Sequence, residues 1–242
     1  MTFLILLQRH PNGTPACFAS PQLRSLIKTS FGSIQHLCLP SHHAFDIDFG
    51  QYRDSLLSFF EFRFPQLKQF ELANWTDNPL EDSLATALTK FLIAHPTIEH
   101  LSLEWNDDDD WVGPILSEEV IVDDMLPNLC SLHCHALNLL LLYRCGLQSL
   151  GKVTTLSLET SERFEGKEEI VFAELRTTSS RRLRSLKFLH FWPKGLIYDR
   201  PEKLVPWISV FSEMCPSLEE WSGHLPPMTS VLVSIGPYCQ SL

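Results

Sequence analysis

An eight-residue pattern recurs along this chain and limits what it can fold into. The pattern is proline, any residue, Leu or Ile, two free residues, an apolar residue, one free residue and a second apolar residue. Complete copies begin at Pro65, Pro96 and Pro127, so two successive steps are both 31 residues long. A fixed period of this length is typical of repeat proteins, in which each unit buries its apolar face only by stacking on its neighbours.

Weaker copies keep the same internal spacing where the proline or the last apolar residue is missing. The residues at the third position of the seven copies are Ile34, Leu67, Ile98, Leu129, Val153, Leu186 and Leu218, and we call them the anchor residues. The steps between them are 33, 31, 31, 24, 33 and 32 residues. This regularity indicates a diverged solenoid, which we interpret as a single domain over residues 1–242. Both ends of the sequence cut through the repeat unit, which leaves open an incomplete array that lacks capping repeats.

Each copy predicts a short strand, and the segments between the copies predict helices. The last two apolar positions of the pattern alternate with polar residues, as in a strand with one buried face. The clearest helical segment runs from Glu81 to Ala94, where apolar residues recur at steps of three and four. Similar segments are 54–62, 116–126, 136–145, 168–177, 204–214 and 228–235. This order predicts an α/β leucine-rich-repeat solenoid, a horseshoe with a parallel sheet on its concave face and helices on its convex face.

The charge balance and the cysteines limit the partners and the compartment. The chain has 29 acidic and 19 basic residues, a formal charge of -10, which opposes binding to nucleic acid or to an anionic membrane. We therefore expect neither as a partner. The seven cysteines are odd in number and irregularly spaced, which fits reduced thiols. We expect an intracellular protein, either cytoplasmic or nuclear.

Several short motifs suggest a bound ligand or catalysis, but each has a simpler interpretation. Residues 146–152 fit G-x-x-x-x-G-K, yet Val153 stands where a phosphate-binding loop needs Ser or Thr. The acidic run 107–110 lacks the alternating ligands and the turn glycine of a calcium loop. A zinc interpretation of Cys130, His133, Cys134, His135 and Cys145 conflicts with the alternation of strand side chains. We predict no enzyme, cofactor or metal, and a Cys-His enzyme is the less favoured alternative.

The remaining candidate site is the sheet face formed by the residues that flank the last two apolar positions of each copy. Six of the ten histidines fall at such positions. From this set we predict the partner-binding residues His100, Glu104, His133, His135, Phe188, His190 and Trp192. Aromatic residues are enriched at protein interfaces and Trp at their hot spots, so Phe188 and Trp192 favour contact with a protein partner on the concave face.

Three segments also carry a resemblance to a known family. FPQLKQFEL at 64–72, LPNLCSL at 126–132 and CPSLEEW at 215–221 resemble strands of F-box leucine-rich-repeat proteins, notably the diverged fungal set. In that family an N-terminal F-box docks on the adaptor subunit of a cullin ubiquitin ligase, and the repeats select the substrate. The resemblance is confined to the repeats, and we find no F-box pattern among these residues.

The resemblance implies a protein-protein interaction scaffold, namely the substrate-recognition repeats of an F-box-type ubiquitin-ligase receptor. The cullin-ligase adaptor is then expected as a partner only if an F-box lies upstream. The alternative is a stand-alone leucine-rich-repeat adaptor without ubiquitin chemistry. No catalytic residue is implied, because the repeats of that family have none.

Overall fold

A computed structural model describes residues 31–39, 56–75, 82–105, 115–160, 183–193, 209–211 and 213–223, together with residues 25, 54 and 173. Seven strands of this part form one parallel sheet, and their order in space is their order along the chain. The strands are β1 (His36–Leu39), β2 (Gln69–Trp75), β3 (His100–Trp105), β4 (Ser131–His135), β5 (Thr155–Thr160), β6 (Phe188–Pro193) and β7 (Glu220–Gly223). Each begins two residues after an anchor residue, so all seven predicted strands are confirmed.

One position of the repeat makes the same pair of hydrogen bonds at every junction. The backbone carbonyl of Gln35, the residue after the first anchor, accepts bonds from the N–H groups of Lys68 and Gln69 at 2.8 and 2.9 Å. The equivalent acceptors at the other five junctions are the carbonyls of Lys68, Glu99, Cys130, Thr154 and Lys187. The residue after the anchor accepts the same pair of backbone hydrogen bonds at all six junctions. The copies of the sequence pattern are therefore copies of one structural unit.

The apolar positions of the pattern form one core on one side of the sheet. Six of the seven anchor residues are buried, and Leu218 is partly buried against the same core. Burial alternates along β1, where Leu37 and Leu39 are buried and their neighbours are half-exposed. Each fully buried leucine contributes about 1.5–3 kcal/mol relative to an exposed one, so this periodic burial fixes the register of the sheet.

Helix α1 (Asp82–Ile93) confirms the helix predicted between Glu81 and Ala94. Asp82 stands in its first turn and Lys90 in its last, where each charge offsets the helix dipole. The ring of Phe91 packs against Phe70 of β2, with 5.1 Å between the ring centroids. The helix therefore covers the apolar side of the sheet. Residues 56–59, 209–211 and 213–214 are also helical, within two further predicted segments.

Helix α2 (Ala136–Arg144) follows β4 directly and confirms the helix predicted over 136–145. Gly146 has a φ of 77°, its N–H donates to the Tyr143 carbonyl, and the Leu147 N–H donates to the Leu142 carbonyl. This is a Schellman cap, in which a residue with positive φ satisfies the last helical carbonyls. A short 3-10 turn then leads into β5. The first glycine of the phosphate-binding motif considered above therefore ends a helix.

The helix predicted over 116–126 is wrong, because these residues form turns. Residues 120–122 are Val, Ile and Val, whose branched side chains lower the helical propensity. The backbone also finds a partner outside the segment, since the N–H of Ser117 donates to Thr89 Oγ1 at 2.9 Å. This contact ties the segment to α1 but does not explain the missing helix, because the first four N–H groups of a helix have no partner within it.

The helices predicted over 168–177 and 228–235 lie outside the described residues, apart from residue 173. Within the part that the structure does describe, no helix is both long and apolar enough to cross a membrane. The fold shown is an α/β structure with a seven-stranded parallel sheet in sequential order.

Candidate interaction surface

The strand side chains that lie outside the core, most of them polar, line up in two rows across the sheet. The first row is His36, Gln69, His100, Ser131, Thr155, Phe188 and Glu220, and the second is Cys38, Glu71, Ser102, His133, Ser157, His190 and Ser222. We call these two rows, together with Glu104 and Glu159, the polar face. Every member is half-buried or exposed, whereas the residues between the two rows are buried, except Trp221, which is half-buried. The predicted alternation is therefore confirmed for these positions.

His133 is the centre of a cluster of polar groups from three adjacent strands. Its Nδ1 lies 3.2 Å from Ser102 Oγ and 3.8 Å from Glu104 Oε1, both on β3. Its Nε2 lies 3.2 Å from Glu159 Oε1 on β5. The parallel register places Ser102 directly beside His133, so the cluster follows from stacking the repeats.

A hydroxyl, an imidazole and a carboxylate thus lie next to one another in space, from Ser102, His133 and Glu159. A serine acts as a nucleophile effectively when nearby donors also stabilise an oxyanion. The three strands are each paired on both sides, and their backbone N–H groups are used in the sheet. Beside Ser102, the backbone N–H groups of these strands are therefore engaged in the sheet and do not serve as donors to an oxyanion.

The polar face is rich in carboxylates. Its acidic members are Glu71, Glu104, Glu159 and Glu220, and none of its described residues is Lys or Arg. Glu71 Oε2 lies 3.7 Å from His36 Nε2. Burial, the charge of Glu71 and a hydrogen bond to it, and the more distant charge of Glu104 together raise the pKa of the Cys38 thiol to about 11.

An open cleft of about 290 Å³ lies on the polar face over β2, β3 and β4. Leu101, Glu104 and residues of both rows line it, and the row members are Gln69, Glu71, His100, Ser102, Ser131 and His133. Three of the residues predicted to contact a partner, His100, Glu104 and His133, are thus brought together. Whether they contact a partner stays a prediction.

His135 differs from the other predicted residues, because it does not lie on an accessible surface. Its side chain is 5% exposed, and its Nδ1 accepts a hydrogen bond of 3.3 Å from the N–H of Leu137. It therefore caps the start of α2. The expectation of an accessible His135 is wrong, because β4 runs into α2 without a loop and this residue is buried at the junction.

The predicted aromatic group on β6 is described only in part. Phe188 and His190 are half-buried on the polar face, and His190 Nδ1 is hydrogen-bonded to Ser222 Oγ on β7. The backbone of Trp192 pairs with Glu159, while its side chain lies outside the described residues. Contact of this group with a partner stays a prediction.

The five described cysteines are free thiols, and the pKa of each is raised. Burial is the largest cause at every one and raises the pKa of Cys215 to about 12. A thiolate nucleophile needs a lowered pKa, so none of these five fits the Cys-His alternative. Among the described residues, no group of three or more His, Cys, Asp or Glu side chains is arranged to hold a metal ion.

Two residues that contact His133, Ser102 and Glu159, are not among the partner-binding residues predicted from sequence. The spacing contained a signal for the first contact, because Ser102 precedes His133 by one period of 31 residues. Residues one period apart become neighbours on adjacent parallel strands. The contact with Glu159 depends on side-chain direction, which the spacing does not specify.

Neither a protein-family model nor a curated protein nor a solved structure matches this chain. Its function is therefore argued from the sheet and the polar face.

Proposed function

We propose that this chain is a leucine-rich-repeat scaffold that binds a protein partner on the polar face. The observation that supports this most is the sheet of seven parallel strands in chain order, with one hydrogen-bond pattern repeated at all six junctions. In this proposal the sheet lines the concave side of a solenoid horseshoe, and helices such as α1 lie on its convex side. The polar face is then the surface available to a partner.

The extent of the polar face favours a polypeptide over a small molecule. Seven parallel strands span about 29 Å, since neighbouring strands lie about 4.8 Å apart. Small-molecule sites are usually concave and largely apolar, and they enclose most of the ligand. The cleft over β2 to β4 is open and lined mainly by polar side chains. A protein segment could follow the rows across several strands.

Within this class we propose the substrate-recognition repeats of an F-box-type ubiquitin-ligase receptor in the cytoplasm or the nucleus. The assignment to ubiquitin-ligase receptors is supported by the resemblance to that family at residues 64–72, 126–132 and 215–221. The free thiols at the five described cysteines support an intracellular location. The alternative is a stand-alone adaptor, which would bind its partner without promoting ubiquitin transfer.

Affinity purification of the full-length natural protein from its own cells, with quantitative mass spectrometry, tests both parts. Ser157→Arg places a long charged side chain in the second row of the polar face. Ser217→Arg makes the same change at an exposed turn off that face. We expect Ser157→Arg to lose the partner and Ser217→Arg to retain it, with circular dichroism confirming that both variants are folded.

The adaptor subunit of the ligase discriminates the two versions of the proposal. Its co-purification with both variants supports a ubiquitin-ligase receptor, and the partner should then accumulate when this chain is depleted. Retained partner without the adaptor supports the stand-alone scaffold. Full retention of the partner by the folded Ser157→Arg variant contradicts binding on the polar face.

A further inference from the structure

The two aromatic residues of β6 whose side chains are described differ in their surroundings. Phe191 lies on the core side of the sheet, where it is fully buried and its ring centroid is 6.1 Å from that of Trp221 on β7. Phe188 lies in the first row of the polar face and is half-buried. None of the ring contacts among the described residues involves Phe188. One phenyl ring on the polar face is thus without an aromatic partner in the described part of the chain.

The parallel register places Glu220 of β7 directly beside Phe188. The repeated junction bonds hold both residues. The N–H of Phe188 donates to the Thr154 carbonyl at 3.0 Å, and the N–H of Glu220 donates to the Lys187 carbonyl at 2.9 Å. Neighbouring parallel strands lie about 4.8 Å apart. The ring and the carboxylate therefore extend from adjacent, fixed points of the backbone on the same face of the sheet.

The carboxylate of Glu220 is exposed. No hydrogen bond or ion pair of the described residues involves its side chain. The lysine nearest to it in the repeat, Lys187, is engaged with the preceding residue, since Lys187 Nζ lies 2.7 Å from Glu219 Oε1. Glu220 therefore keeps its acceptor oxygens available to a partner.

The row neighbours of this pair supply no permanent cation. In the second row, His190 Nδ1 of β6 is hydrogen-bonded to Ser222 Oγ of β7, so these two side chains are engaged with each other. On the other side of Phe188 in the first row lies Thr155, whose side chain is short and uncharged. The position thus combines an accessible part of a phenyl ring with an exposed carboxylate.

A phenyl ring beside a carboxylate fits a guanidinium group. The planar guanidinium stacks on aromatic faces, and its edge pairs with a carboxylate through two parallel N–H···O bonds. An ammonium group is a compact and strongly hydrated point charge, so it gains less from the ring. An acidic side chain is repelled by Glu220, and an aliphatic one leaves the carboxylate without a donor.

We propose that the partner bound on the polar face contributes an arginine side chain that stacks on Phe188 and pairs with Glu220. The inference rests on the proposed function and adds the chemistry of the partner at β6 and β7. It also assigns Glu220 to the site, a residue that is not among those predicted from sequence. Arginine and aromatic side chains are both enriched at protein interfaces, which agrees with such a pair.

Binding of two labelled peptides tests this inference. Fluorescein-labelled hexaarginine and hexalysine carry the same charge, and each is titrated with the full-length protein at low salt and followed by fluorescence anisotropy. Phe188→Leu removes the aromatic ring but keeps an apolar side chain. Glu220→Gln removes the charge but preserves the side-chain shape. Glu119→Gln is the matched control, because it removes one charge from an exposed glutamate off the polar face. Circular dichroism checks that all three variants are folded.

We expect Phe188→Leu and Glu220→Gln each to weaken hexaarginine binding by about threefold or more, because each removes one of the two contacts of the guanidinium. Glu119→Gln should weaken it by less than about 1.5-fold, as for an exposed charge at a distance. Hexalysine should bind the wild-type protein more weakly than hexaarginine does. Its binding should change by less than about 1.5-fold in Phe188→Leu.

The outcomes separate this inference from the proposed function. The arginine contact is overturned if either substitution weakens hexaarginine binding no more than Glu119→Gln does, if Phe188→Leu weakens hexalysine binding equally, or if hexaarginine does not bind. If Ser157→Arg still abolishes capture of the natural partner in that case, the polar face binds its partner by other chemistry. If Ser157→Arg has no effect, the proposed function fails as well.

Discussion

The backbone N–H of Phe64 donates a hydrogen bond of 2.9 Å to Nε2 of His95, a residue one period of 31 positions further along the chain. The other ring nitrogen lies 2.6 Å from the carbonyl oxygen of Phe91, which can only accept, so Nδ1 carries the proton. The side chain of His95 is 1% exposed and stacks on the ring of Phe64. One neutral imidazole thus ties the end of α1 to the preceding repeat.

We predict that His95→Phe lowers the free energy of unfolding by about 1–3 kcal/mol, because an aromatic ring fills the space but leaves the buried N–H of Phe64 without an acceptor. The measurement is urea denaturation followed by circular dichroism. His100→Phe, at an exposed position of β3, is the control and should change stability by less than about 0.5 kcal/mol. Equal stability of the two variants would contradict a structural role for the link.

Stability should also depend on pH through His95. Burial lowers its pKa below the ordinary value of 6.5, and the charge of Arg63 lowers it further, against the opposing effect of the Phe91 carbonyl. The unfolded chain therefore binds a proton at a higher pH than the folded chain does. The free energy of unfolding falls as the pH drops below 6.5 toward the folded-state pKa.

The check is urea denaturation of wild type and His95→Phe at about pH 7.5 and about pH 5.5. The loss of stability on acidification should be smaller in the variant, because it lacks the imidazole. Glutamates shared by both proteins cancel in this comparison. A loss of the same size in both would show that protonation of His95 is not involved.

The cap at Gly146 predicts a backbone effect. Its φ of 77° lies in the left-handed region, where a residue with a Cβ atom costs about 1–2 kcal/mol. Gly146→Ala should therefore lower the free energy of unfolding by about 1–2 kcal/mol. Gly32→Ala is the matched control, since a Cβ there meets nothing within 4 Å. The measurement is thermal unfolding of both variants. A lower melting temperature for Gly32→Ala than for Gly146→Ala would contradict the role of Gly146 as a helix cap.

The raised thiol pKa values predict slow chemistry at the described cysteines. A Cys17→Ser/Cys239→Ser variant retains only these five, and each should react with Ellman's reagent more slowly than free cysteine at about pH 7.5, because the thiolate is the reactive form. Cys38, with a pKa of about 11, should be largely protonated there. A burst from one thiol faster than free cysteine would instead support the Cys-His enzyme.

The strands could be predicted because every repeat places its apolar residues in the same environment. Alternating burial at Leu101 and Leu103 is set by the sheet itself, and the same spacing predicts the same contacts in the next repeat. Helices between the strands are less constrained. The turns at 116–126 show that branched residues, such as those at 120–122, can outweigh a periodic apolar pattern.

The rows of the polar face could be predicted from sequence, but the contacts between their side chains could not. Register alone puts polar side chains in rows, whereas the burial of His135 depends on a helix that begins at the next residue. The sequence also contains a signal for the role of His95, namely its position directly before the proline of a repeat. The equivalent residues before proline in other repeats, Phe64, Leu126 and Cys215, are apolar and buried, so a histidine there implies a buried imidazole.

Photocrosslinking at two positions tests most directly whether the polar face binds a protein. A photoreactive benzophenone amino acid replaces either His100, which is exposed on the polar face, or Asp124, which is exposed in the turns at 116–126. Each full-length protein is irradiated in extracts of its own cells, and adducts are identified by mass spectrometry. A discrete protein adduct from position 100 that is absent from position 124 is the result we predict. An adduct from position 124 alone, equal adducts from both, or none from position 100 would contradict the account.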